Sequence, residues 1–330
     1  MSRIGKYHTD ILKFLKTKSF INDTTEKTKS ILYELLELTD HVPAILCLTT
    51  LNNQCKKYDI KIHGYYLAAG VDVLMILAQV CSSRDYFDNK YGQIHIDNMI
   101  MEVVSAFYRC ITQNIETLRL SKNGNVNTKL TQLCIEYASK YIPLITQKGS
   151  YDSTTKMKKT DLFCLDIKDK DYVLYKKKNK LAKNTLMDDM TNRYGSVCKL
   201  ALCLGWILGQ GDDSCINKLK DLSDEKTINK LEKLGEHMGR FLKLHDDFKY
   251  IERDIKNGRF SLNYVVNYGI KEAYIELTES KANFIEGSMV VGVETKTSKE
   301  IIAMIVKNVD DIMKDTSVDF ETQYDDVSTL

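Results

Sequence analysis

Only two prolines, Pro43 and Pro143, interrupt the 330 residues of this chain. Proline lacks a backbone donor and its ring collides with the preceding helical turn, so it is the strongest local helix breaker. Long stretches are therefore free to remain helical, and the apolar residues recur mostly at helical spacing. Strand-like alternation is rare, with "YVLY" at 172–175 as its best short example. The pattern predicts an all-α chain, with helices over roughly 9–19, 25–38, 42–56, 62–82, 96–120, 128–147, 178–190, 193–209, 226–255, 260–280 and 297–314. "SKNGNVNT" at 121–128 and "GQGDDS" at 209–214 read as breaks. The polar, highly charged stretch 148–178 reads as a long loop or lid. No internal repeat or flexible linker divides the chain. The expectation is a single helical domain over 1–330, for which 43% hydrophobic residues supply a sufficient core.

Composition narrows the partners and compartments to be expected. The formal net charge is +2, and no basic stretch is interleaved with aromatics, so no nucleic-acid partner is expected. Nine cysteines are scattered without a CxxC pair or zinc-ligand spacing, which reads as buried free thiols in a reducing, cytoplasmic setting. The N-terminal "MSRIGKYHTDILKFLKTKSF" lacks the apolar run of a signal peptide and reads as a short amphipathic helix. No transmembrane segment is expected, because the best apolar run, 71–81, is short and contains Asp72.

Chemistry concentrates in "LKLHDDFKYIERDIKNGRFSL" at 242–262. On a helix turning about 100° per residue, Asp246, Tyr250, Asp254 and Asp247 share a stripe about 100° wide, with Arg253 just outside it. Clustered carboxylates repel one another unless a cation compensates. Mg²⁺ is held by carboxylate oxygens and often bridges them to phosphates, so a magnesium–diphosphate site is one reading. The plainer one is an acidic surface stripe laced with Lys249, Arg253 and Lys256, and three further Asp-Asp pairs in the chain carry no assigned role. Upstream, "NRYGSVCKLALCLGWILGQGDD" at 192–213 repeats small residues along a helix. Each mid-helix glycine costs about 1 kcal/mol against alanine, so that density signals close packing or room for a ligand.

Together these segments resemble the trans-isoprenyl diphosphate synthases of the class I isoprenoid and terpenoid synthase superfamily. That family carries K-T-G-x-L, then A-x-x-L-G, then D-D-x-x-D. Here Arg193-Tyr194-Gly195-Ser196-Val197, Leu204-Gly205 and Asp246-Asp247-Phe248-Lys249-Tyr250 stand at those places, with Tyr250 replacing the last aspartate. The stretch also resembles the N-D-x-x-S-x-x-x-E motif of terpene cyclases. The resemblance implies a bundle of roughly ten or more helices around a central cavity. It implies Mg²⁺ as cofactor, held by Asp246, Asp247 and Asp254, with Asp246, Asp247 and Arg193 as catalytic residues.

The family's first D-D-x-x-D, followed by R-R-G, is matched in register by "QNIET" at 113–117 and "KNG" at 122–124. By this resemblance Asn114 and Glu116 would form a weakened second ligand set, and Lys122 would touch phosphate. The isopentenyl diphosphate motif G-K-x-R-P finds its nearest match at 59–70, with Lys61 and His63 in the basic set. Lys61, His63, Lys122 and Arg253 would then bind substrate, with Trp206, Phe241 and Tyr108 facing the cavity. The implied function is Mg²⁺-assisted ionisation of an allylic prenyl diphosphate followed by prenyl transfer, by a homodimer or a heterodimer with a related synthase. Two alternatives stay open. One is a class I terpene cyclase using a single allylic diphosphate. The other is a non-catalytic subunit or binding protein that keeps the fold and partners an active synthase.

Overall fold

The structure, a computed structural model, describes residues 2–18, 20–57, 63–121, 128–147, 162–165, 174–177, 182–211, 222–251, 254 and 262–327. The helices are α1 (Arg3–Thr17), α2 (Glu26–Leu36), α3 (Val42–Lys57), α4 (Tyr65–Ser82), α5 (Arg84–Tyr91), α6 (Gln93–Ser121) and α7 (Thr128–Thr146). They continue as α8 (Lys183–Met190), α9 (Ser196–Leu208), α10 (Leu222–Lys249), α11 (Tyr264–Tyr268), α12 (Ile270–Val291) and α13 (Lys296–Val327). The all-α expectation holds apart from one local departure. Within 148–178, β1 (Leu162–Leu165) and β2 (Leu174–Lys177) pair antiparallel, Leu162 opposite Lys177 and Leu165 opposite Leu174. Leu174 and Tyr175 of the alternating "YVLY" fall in β2; the rest of 148–178 up to 181 lies outside the described residues.

Both prolines lie within helices. Pro43 occupies the first turn of α3, whose backbone donors have no intrahelical acceptor in any case. Pro143 stands in the last turn of α7. Caps follow the sequence: Ser2 Oγ accepts from the Gly5 N–H at the start of α1, and Thr25 Oγ1 accepts from Thr28 N–H at the start of α2. At the end of α12, Gly292 adopts the left-handed conformation (φ 73°) that stops the helix and lets the chain turn into α13.

A continuous apolar core runs from Ile11 in α1 to Val309 in α13. Its centre is α4 and α9. Helix α4 packs on α3 and α6, and α9 is wedged between α3, α10 and α7. Helix α4 is long and apolar enough to cross a membrane by length and composition, yet most of it is buried inside the fold. The small residues of α9 serve packing. A Cβ at Gly205 would stand 2.6 Å from the Cys47 carbonyl oxygen of α3. On the other side, a Cβ at Gly239 of α10 would come within 2.2 Å of the Gly195 nitrogen. Helices touching at backbone distance fix α10 against its neighbours and so fix the direction in which its carboxylates point.

Candidate functional site

Asp246 and Asp247 lie at the C-terminal end of α10, and the helical hydrogen bonding continues through Tyr250 N–H to Asp246 O (2.9 Å) and Asp254 N–H to Tyr250 O (2.8 Å). The predicted stripe is real: Asp246, Asp247, Tyr250 and Asp254 line one cleft, with an empty volume of about 650 Å³ including its mouth. The opposite wall is the C-terminal end of α4 and the residue after it, Gln79, Ser82 and Ser83. A second hollow adjoins it on the far side of Asp246 and Tyr250, lined by residues 38–41 and the first two residues of α3.

The two aspartates have different environments. Asp246 keeps partial exposure; its Oδ2 accepts from Tyr194 Oη (2.9 Å) and from Gln79 Nε2 (3.1 Å). Tyr194 reaches it because Thr191–Gly195 forms one π-helical turn between α8 and α9, which shifts the register of the side chains. Asp247 is 2% exposed. Its Oδ1 accepts from Lys243 Nζ, one turn earlier on α10, and its Oδ2 from the Tyr264 N–H at 2.9 Å. Lys243 also donates to the Leu262 carbonyl (3.2 Å). Burial pushes the Asp247 pKa up to about 7, against the opposing pull of Lys243 and the Tyr264 amide. Burial disfavours the Lys243 ammonium, but Asp247, then Asp189 and Asp254, outweigh it and hold its pKa above the ordinary value. Asp254 is buried and accepts from Asn263 Nδ2 (3.1 Å).

The other expected site residues are distributed elsewhere. Arg193 is buried and ion-paired to Asp189 (2.9 Å) within the π turn. Trp206 and Phe241 are core residues and line neither hollow. Asn114 is fully buried; it accepts from the Leu67 N–H (3.1 Å) and donates to the His63 carbonyl, pinning the start of α4. Gln79 is twelve residues further along α4 than Leu67, which is about 18 Å at 1.5 Å per residue. The 113–117 segment therefore sits at the other end of α4 from the carboxylates, and Asn114 and Glu116 are not brought to the cleft. The register expected for the first motif is corrected by this geometry: α4 and α6 run antiparallel, so the wall facing Asp246 is the end of α4. His63 is exposed at that same far end, among Phe14, Tyr65 and Tyr66. Tyr108 lies on the outer side of α6, its hydroxyl 3.3 Å from Ser139 Oγ. Lys61, Lys122 and Arg253 lie outside the described residues.

Comparison with solved structures follows this layout. The chain matches a geranyltransferase from Legionella pneumophila with a TM-score of 0.54 at 12% identity, covering 93% of this chain and 95% of that one. A geranyltransferase from Helicobacter pylori complexed with magnesium and isoprenyl diphosphate matches with a TM-score of 0.52 at 13% identity, covering 96% and 98%. The chain has the geranyltransferase fold. No known family model matches the sequence, and no curated protein does. The likeness is one of fold, and a fold does not by itself fix function.

The described cleft residues do not fit a magnesium–diphosphate centre. Among the described residues no group of three or more His, Cys, Asp or Glu side chains is placed to hold a metal ion. The α4 wall offers an amide and two hydroxyls, which bring no charge to offset a divalent cation. On the α10 wall, the carboxylate of Asp247 already has a cation, the Lys243 ammonium. Sequence reading missed Lys243, Tyr194 and Gln79. Only Lys243 carried a signal, since it precedes Asp247 by four residues and so shares its helix face.

Proposed function

We propose that this chain is a non-catalytic subunit that keeps the geranyltransferase fold and docks on a related synthase with intact metal ligands. The observation that carries the reading is the buried Lys243–Asp247 pair. Ionising an allylic diphosphate requires positive charge placed at the departing pyrophosphate. Among the described residues, the one ammonium lining this cleft is tied to an aspartate, Arg193 is buried against Asp189, and the opposite wall offers neutral groups. The cleft carboxylates are held in a polar network: Tyr194 and Gln79 on Asp246, Lys243 and a backbone amide on Asp247, Asn263 on Asp254. Such a network stabilises one arrangement of α4, α10 and the π turn.

Support for a subunit comes from α6. Ile94 and Met101, both 68% exposed, are seven residues apart and share one face with the half-buried Tyr108. Large apolar side chains repeated on one outer helix face are a common feature of surfaces that pack against a partner. The test is incubation with Mg²⁺ and geranyl or farnesyl diphosphate, with and without isopentenyl diphosphate, read by mass spectrometry and pyrophosphate release. The expected result is no lengthened prenyl product, hydrocarbon or alcohol. Mixed with an active synthase, the chain should co-elute, and Met101→Glu should abolish co-elution. Pyrophosphate release that Asp246→Ala stops would overturn the proposal and return the chain to the enzymes.

A further inference from the structure

A hollow larger than the carboxylate cleft lies at the other end of α4 from the carboxylates. It has an empty volume of about 960 Å³ including its mouth. Four cationic side chains line it, Arg3 and Lys6 from α1, Lys56 from α3 and Lys296 from α13, against a single carboxylate, Asp10. On a chain whose formal net charge is only +2, this is a strong local concentration of positive charge. None of the four cations has an ion-pair partner among the described residues. The carboxylate lies beside Tyr65, whose pKa is raised by burial and then by Asp10. Two long helices also begin here. Helix α1 starts at Arg3 behind its Ser2 cap, and α13 starts at Lys296 behind the Thr295–Ser298 capping pair. Their N-terminal ends add partial positive charge to the same concavity. Tyr7 and Tyr65 supply walls, and Asn52 donates to Tyr7 Oη at 3.4 Å.

We infer that this hollow binds a free polyphosphate-type anion, a small molecule carrying a diphosphate or more, without a metal ion. Four cations converging from three helices, at positions 3, 6, 56 and 296, recognise charge rather than a carbon skeleton. A concave site closed by two tyrosines fits a small ligand better than a flat anionic membrane, which carries the same phosphate chemistry. The site is separate from the carboxylate cleft: Tyr65 and Gln79 are fourteen residues apart on α4, about 21 Å.

The probe is inorganic pyrophosphate, titrated calorimetrically into the full chain in the absence of divalent ions. The unmodified chain should bind it, with affinity falling as salt rises. The exposed pair Lys6→Gln/Lys296→Gln should weaken binding by about tenfold or more, the loss expected for two charge-assisted hydrogen bonds in a partly solvated site. That double variant should keep the melting temperature of the unmodified chain without ligand. Asp246→Ala, in the cleft, should leave binding unchanged. A parallel arm sediments the protein with vesicles containing phosphatidylserine. Failure of the unmodified chain to bind pyrophosphate, equal binding by the double variant, or loss of binding in Asp246→Ala would each overturn the inference. Binding to vesicles alone would overturn it in favour of a lipid surface. None of these outcomes depends on whether the cleft is catalytically active.

Discussion

Lys243→Gln separates the ion pair from everything else in the cleft. Glutamine keeps most of the side-chain volume and a donor for the Leu262 carbonyl, but leaves Asp247 buried without a counter-ion. Breaking a buried pair in this way costs about 3–5 kcal/mol. For a chain of this length that lowers the melting temperature on the order of 10 °C. The cost should depend on pH, and its sign follows from Asp247. A carboxyl whose folded pKa lies above its unfolded value binds more protons in the folded state, so stability falls as pH rises between the two values. In the unmodified protein Asp247 is half ionised near pH 7, so that fall is complete about one pH unit higher, where the carboxylate stands ionised beside Lys243. In the variant the folded pKa rises further, so stability continues to fall beyond that point by up to about 1.4 kcal/mol per pH unit. Urea denaturation across the pH range reads this directly. Curves that stay parallel above pH 7, or a loss below about 1 kcal/mol, would refute the buried pair. Above the raised pKa of Asp247, the variant also places two uncompensated carboxylates side by side. Mg²⁺ at ten times its dissociation constant should then stabilise it by about 1.4 kcal/mol, while leaving the unmodified chain unaffected. Equal stabilisation of both proteins by Mg²⁺ would show that the ammonium does not occupy the cation's place.

Three further outcomes follow from the packing. Gly239→Ala should destabilise by about 1–3 kcal/mol in urea, because its Cβ would lie 2.2 Å from the Gly195 nitrogen; a stabilised variant would contradict the close approach of α10 to the π turn. Asn114→Ala should cost about 1–3 kcal/mol by unpairing the Leu67 N–H and the His63 carbonyl. It should leave pyrophosphate and Mg²⁺ titrations unchanged, and an altered Mg²⁺ response would restore 113–117 as a ligand segment. His41, buried beside Asp72 at 2.5 Å, has its pKa raised by Asp72 and then Asp40 despite the larger opposing effect of burial. Its contribution is therefore full below the unfolded value near 6.5 and is lost as pH rises through the folded value. His41→Asn, which tolerates the left-handed backbone there (φ 51°), should remove that alkaline loss in a thermal melt series.

What was readable in the sequence is what depends on spacing along one helix. The scarcity of proline and the apolar period gave the helices, and the 100° stripe placed Asp246, Asp247, Tyr250 and Asp254 on one face, as observed. The small residues of 192–209 signalled a spatial demand, met by backbone contact with α3 and α10. What depends on pairing between helices was not readable. Both α4 and α6 end in polar residues, "QVCSS" and "QNIET", and nothing local says which end faces α10. That choice is made by the antiparallel packing of α4 on α6, which carries 113–117 to the far end and leaves Gln79 and the serines at the cleft. The π turn was equally hidden, since an extra residue per turn moves Tyr194 onto Asp246 without any mark in composition. The basic hollow is the extreme case, assembled from positions 3, 6, 56 and 296.

Lys243 stands between these two cases, and its place in the argument is physical rather than statistical. A lysine four residues before an aspartate on an exposed helix is an ordinary surface pair worth a few tenths of a kcal/mol. The same spacing in a buried cleft removes the aspartate from metal chemistry, because two cations cannot both occupy one desolvated carboxylate at tolerable electrostatic cost. Burial, which the sequence did not show, converts a common helix pair into the feature that decides how the cleft can act. A magnesium ion entering beside Asp246 would have to expel the Lys243 ammonium from Asp247 and from the Leu262 carbonyl together. The energy of that displacement is the quantity the Lys243→Gln titration measures.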